Sequence, residues 1–118
     1  MIYHLTFRTS WRHALAIGSY AADSLKTEGF IHCSTQSQLV PVAMNFFAAR
    51  RKLTILAIDE SKLTAPVKWE APAGGPPPGV PEDDTFPHVY GSINLDAVVK
   101  TLDMERNADD IFVLPDNL

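Results

Sequence analysis

The chain has 118 residues, 46% hydrophobic and 20% charged, with a formal net charge of −4 at pH 7. That length supports one core and not two, so a single domain over 1–118 is expected, with globular rather than disordered composition. The acidic balance argues against a surface that coats nucleic acid, and the lone Cys33 excludes an internal disulfide and fits a reducing cytosol. No apolar run approaches the roughly 18 residues of a membrane span, and Met1 leads into IYHLTF with no signal-peptide h-region, so a cytoplasmic protein without membrane contact is predicted.

Ile2 to Phe7 alternates as a first strand, with Tyr3, Leu5 and Phe7 on one face and His4 and Thr6 on the other. Ser10 then caps a helix carrying Trp11, Ala14 and Leu15 at helical spacing, and Gly18 marks a close contact or its end. Tyr20 to Glu28 reads as a polar connection anchored by Leu25. Gly29-Phe30-Ile31-His32-Cys33-Ser34-Thr35 is a short strand followed at once by a helix start. Its Ile31 and Cys33 face the core, and Phe30, His32 and Ser34 face away. Thr35 and Gln38 form a capping-box pattern before a helix that buries Leu39, Val42, Ala43 and Phe46 and ends in Arg50, Arg51 and Lys52. Pro41 either follows a helix start near Ser37 or kinks it.

Leu53 to Asp59 is the most continuous apolar run and predicts a central strand. Val67 to Ala71 is a shorter one, with Val67 and Trp69 inward and Lys68 and Glu70 outward. His88 to Ile93 directs Val89 and Ile93 inward and His88, Tyr90 and Ser92 outward. A turn at Asn94 to Ala97 leads to a last long strand, Val98 to Met104. The pattern predicts an α+β domain with a mixed or antiparallel sheet, two helices in its N-terminal half, and both on one side of the sheet. Between Ala71 and Thr85 the five prolines and three glycines rule out a packed element, leaving either a tolerated insertion or a mobile lid over a cleft.

The outward phases bring together His4 and Thr6, His32 and Ser34, Glu70, and His88 and Tyr90. An antiparallel sheet commonly has one wet face, but such a face is usually filled with Lys, Glu, Thr and Arg. Three of the four histidines on these positions, beside Ser, Tyr and Glu, predict a lined pocket into which all three histidines converge. No metal is expected, because the histidines lack a recognised ligand spacing and Cys33 lacks a partner. Cys33 points inward, away from thiol chemistry, and Ser34 lacks the glycine-flanked elbow of hydrolases.

The motifs YHLT, EGFIHCST with Gln38, NFF, LAID, WE and FPHVYGSIN with Asp96-Ala97-Val98 resemble the small bacterial proteins of domain-of-unknown-function family 952, from Tyr3 to Val98. Tyr3-His4-Leu5-Thr6 further resembles the aromatic-His-x-Thr strand of the ADP-ribosyltransferase superfamily. That likeness implies an ADP-ribosyltransferase-like fold, NAD as cofactor, a small-molecule nucleotide ligand and an acceptor the sequence does not name. It implies a ribose-binding His4, with Thr6, Ser34 and Tyr90 also holding the cofactor, and a catalytic set of His32 with Glu70 or His88. Tyr90 or Phe86 would stack on the nicotinamide. In such chemistry the nicotinamide–ribose bond breaks with oxocarbenium character, which oriented hydrogen bonds and a carboxylate stabilise. The expectation is an NAD- or nucleotide-utilising transferase. The alternative is a non-catalytic nucleotide or ADP-ribose-type binding protein, with a metal hydrolase well behind both.

Overall fold

The apolar run predicted as central is central. In the computed structural model, which describes residues 1–118, β1 (Ile2–Thr6) pairs with β4 (Lys52–Ile58), β4 with β8 (Val98–Arg106), and β8 with β9 (Phe112–Val113), all antiparallel. Strand β4 is apolar on both phases and is therefore covered on both faces. Leu53, Ile55 and Ala57 join Tyr3, Leu5, Met104 and Phe112 in one core; Leu56 and Ile58 join Ile2 in the other. Helix α1 (Arg8–Ile17) contributes Ala14 to the second core, and α3 (Leu39–Phe46) contributes Leu39 and Ala43 to the first. The helices thus lie on opposite faces, not on the one side expected.

A second antiparallel sheet, in the order β3 (Ile31–His32), β6 (Phe86–Val89), β5 (Val67–Glu70), meets the first through a single Tyr3–Ser34 bridge. Two short strands, β2 (Ser19–Tyr20) and β7 (Ile93–Asn94), pair separately. The domain is α+β, and no helix in it is long and apolar enough to cross a membrane.

Local chemistry explains most boundaries. Helix α1 begins at Arg8, earlier than a Ser10 cap implies, and ends where Gly18 takes φ 92, a left-handed conformation that glycine adopts without strain. The capping box forms, with Thr35 N–H donating to Gln38 Oε1 at 2.9 Å. Pro41 falls in the first turn of α3, where a backbone N–H has no partner to lose. Phe46 is exposed, and Phe47 turns inward against Phe7 in its place, with ring centroids 5.9 Å apart. Strand β6 begins at Phe86 rather than His88. Cys33 N–H donates to the Pro87 carbonyl, but Pro87 has no N–H to return the bond, so regular pairing of β3 stops at His32. Trp69 shares the phase of Val67 yet is 44% exposed, because it lies at the end of edge strand β5.

The 71–85 segment is no lid in this arrangement. Val80 and Pro77 are buried, Gly79 packs on Pro41, and Asn45 Nδ2 donates to the Pro78 carbonyl at 3.2 Å. Gln38 Nε2 donates to the Thr85 carbonyl at 3.0 Å and to Asp84 at 3.2 Å. The segment is a strap on α3.

The other end of α3 is held by Arg106. Its Nη2 donates to the carbonyls of Phe47 and Ala48, its Nε to that of Arg50, and its Nη1 to that of Asp110, at 2.6–3.2 Å, with the guanidinium over the Phe112 ring. A cation at a helix C-terminus answers both the free carbonyls and the dipole. Arg106→Ala removes all four bonds and should lower stability by about 2–3 kcal/mol in urea unfolding. A change below about 0.5 kcal/mol would show that these carbonyls are equally well served by water.

Candidate functional site

Strand β1 is bonded on both sides. Its residue Tyr3 exchanges backbone bonds of 2.9 and 2.7 Å with Ser34, so Tyr3 and, by alternation, Leu5 direct N–H and C=O away from β4. The next exchange would join Leu5 to His32. The Tyr3–Ser34 bridge is isolated, however, and the strands part there. The His4 ring fills the place, with Nδ1–H donating to the His32 carbonyl at 2.6 Å. The Leu5 N–H is left facing the opening without its ladder partner.

A carbonyl only accepts, so the His4 proton is on Nδ1 and Nε2 is the acceptor. Tyr20 O–H donates to it at 2.7 Å. That commits the single phenolic proton, so the Thr6 hydroxyl, 2.9 Å away, donates in turn to the Tyr20 oxygen. Burial holds the His4 pKa down to about 4, outweighing the His32 hydrogen bond, so the ring is neutral at pH 7. Burial likewise pushes Tyr20 up to about 12, against the lowering effect of the Thr6 contact.

Where the strands part there is a cavity of about 350 Å³. His4, Thr6, Tyr20, Ser34, Ser10, Asp23 and the edge of His32 give it polar groups; Leu5, Phe7, Val42 and Phe47 close the apolar side. Ser34 is buried, and its hydroxyl makes no hydrogen bond within the protein. Cys33 faces the core, where burial pushes its thiol up and keeps it protonated.

The remaining expected site residues form a separate shelf on the outer face of the β3-β6-β5 sheet. His32 lies directly across from His88, and Lys68 directly across on the other side. The two imidazole centroids are 5.5 Å apart and T-shaped. Glu70 Oε1 accepts from His88 Nδ1–H at 2.9 Å and from the Tyr90 hydroxyl, and these two donors hold its carboxyl below the usual carboxylate range. The same carboxylate raises the Tyr90 pKa. His32 Nε2 meets Glu28 at 3.0 Å. Phe30, turned out of the short helix α2 (Ser24–Thr27) by Gly29 at φ 89, stacks on His88 at 4.0 Å, and Ser24 fastens the Phe30 carbonyl at 2.7 Å.

The three histidines therefore do not share one cleft. His4 and His32 line the cavity, whereas His88 reaches it only past His32. His4 and Thr6 are also buried, not on a wet face, because α1 covers their side of β1. Phe86 is buried at 7% exposure and is not free to stack on a ligand. Tyr20 and Glu28, at the two ends of the expected connection, are members that the sequence pattern did not reveal, whereas Phe30 keeps the outward phase expected of it. No group of three or more His, Cys, Asp or Glu is arranged to hold a metal ion.

The sequence matches the family described as "Protein of unknown function (DUF952)" over residues 5–101. The chain belongs to the DUF952 family. Protein CC0527 from Caulobacter crescentus has a similar crystal structure, 30% identical in sequence, with a TM-score of 0.80 over 98% of this chain and 96% of that one. Its solution NMR structure gives a TM-score of 0.75 at 30% identity, over 99% and 95% of the two chains. No curated protein matches this DUF952 chain.

The neutral state of His4 predicts a pH signature for this DUF952 domain. The unfolded ring takes a proton near pH 6.5 and the folded ring only near 4, so the unfolded state binds more protons between those values. The His4 contribution is full above pH 6.5, is lost as pH falls towards 4, and levels off below. Its size is about 3 kcal/mol. Urea titrations at intervals from pH 7 to 4 should show a shallower acid loss in His4→Gln than in wild type. Parallel pH curves would mean that the folded imidazole titrates normally.

Proposed function

We propose that this protein takes the nicotinamide–ribose end of NAD, or of a related nucleotide, into the His4–Tyr20–Ser34 cavity and transfers its ribosyl group as ADP-ribosyltransferases do. One observation carries the reading. Leu5 directs an unpartnered N–H, with its C=O turned to the same side, into a cavity beside a free Ser34 hydroxyl. A primary carboxamide offers the matching acceptor and donor. The volume, about 350 Å³, is at the low end for small-molecule pockets and suits a nucleoside-sized fragment, leaving the rest of a dinucleotide to extend past His32.

In this reading Ser34, not the fully engaged His4 ring, hydrogen-bonds the ribose, and His4 fixes the Tyr20 proton. Thr6 supports Tyr20 from behind. The resemblance gives Tyr90 a cofactor-binding role, but its hydroxyl is spent on Glu70 and its ring lies under Lys68 at 4.8 Å.

A second reading is a ligand-binding protein without catalysis. It is favoured by the cavity's having Asp23 as its one lining carboxylate, with Glu70 outside. Two measurements decide. Calorimetry should show NAD binding at least tenfold more tightly than its nicotinic acid analogue, whose carboxylate cannot donate to Leu5 C=O, and Ser34→Ala should weaken NAD by a similar factor. Equal affinity for both dinucleotides would dismiss the carboxamide site. Release of free nicotinamide on incubation with NAD supports transfer; tight binding without release, whatever the acceptor, supports the second reading.

A further inference from the structure

The shelf beside the cavity contains a second arrangement of chemical groups. His88 is 4% exposed, its Nδ1–H is fixed on Glu70, and Phe30 covers one ring face. Its Nε2 has no protein partner, and no buried side-chain nitrogen or oxygen in the molecule is left unpaired, so Nε2 touches solvent. A carboxylate behind Nδ1–H sets the tautomer and leaves Nε2 as a proton acceptor. The ring is one imidazole away from the cavity, across from His32.

Resting on the transferase reading above, we propose that His88 is the general base for the acceptor, that Glu70 is its positioning residue, and that the acceptor is a hydroxyl, either water or an alcohol. His88 Nε2 is an open acceptor, which suits an acceptor group with a proton to give, such as a hydroxyl. A neutral hydroxyl needs a base, and one is present. The acceptor oxygen forms a bond to the ribosyl C1 as its proton passes to His88 Nε2. The C–N glycosidic bond breaks with its electron pair going to the pyridinium nitrogen, so nicotinamide leaves neutral. His88 then yields the proton to solvent, and the balance is NAD plus alcohol to ADP-ribosyl ether, nicotinamide and one proton.

Azide needs no deprotonation, so it separates the base from everything else. Nicotinamide release from NAD is measured with water or methanol as acceptor and again with azide, in wild type, His88→Gln and Glu70→Gln. His88→Gln should lose about 100-fold in the hydroxyl reactions and keep the azide reaction. Glu70→Gln should lower kcat with hydroxyl acceptors while leaving KM for NAD and the azide rate unchanged. A folded His88→Gln protein, judged by its Tm, that keeps all rates or loses them in parallel overturns the assignment of the base and leaves the transferase reading standing. Wild-type protein that releases no nicotinamide with either acceptor overturns both.

Discussion

The His32 carbonyl can serve the Leu5 amide or the His4 ring, and the site follows from its serving the ring. Had the amide taken it, β1 and β3 would zip together beyond Tyr3–Ser34 and the two sheets would become one continuous surface. With the ring in place the strands part, the gap becomes a cavity, and a backbone donor is left facing it. Pro87 acts in the same sense from the other side, because a strand that receives only one of two ladder bonds is easier to turn away. The opening is thus written into three residues, His4, His32 and Pro87, rather than into a loop.

Two environments meet at that opening and do different work. Inside, the groups are neutral: an imidazole kept unprotonated by burial, a phenol kept protonated, and hydroxyls. Such a relay has one allowed proton arrangement, which makes it rigid, and in a poorly solvated setting its hydrogen bonds are stronger than they would be in water. Outside, the shelf is charged and wetter, with carboxylates each holding an imidazole. Only His32 belongs to both, offering its carbonyl to one and its ring to the other.

Much of this frame was legible in the sequence, and the failures have physical causes. The alternation of β1, the Thr35–Gln38 cap, the apolar run at β4 and the inward Cys33 all follow from local periodicity. The same periodicity assigns His4 to one face of its strand but cannot say that a helix will cover that face. Tyr20 was hidden because a two-residue strand has no period to detect; its place is set by pairing with Ile93, far along the chain. The helices were expected together because both precede β4. They separate because β4 is apolar on both phases, a fact visible in LTILAI once read as a demand for two covers. The 71–85 composition correctly excluded helix and strand. It said nothing of where the segment lies, since prolines pack against α3 as readily as they remain in solvent.

Arg106 has a consequence beyond stability. Phe47, whose carbonyl it holds, is a wall of the cavity, so the cavity is bounded by a residue tied to β8 as well as to α3 and Phe7. A chain lacking β8 would own every polar group of the site but not the Arg106 tie on its Phe47 wall. The cavity wall in this fold is therefore braced by a strand far along the chain from the polar residues that line it.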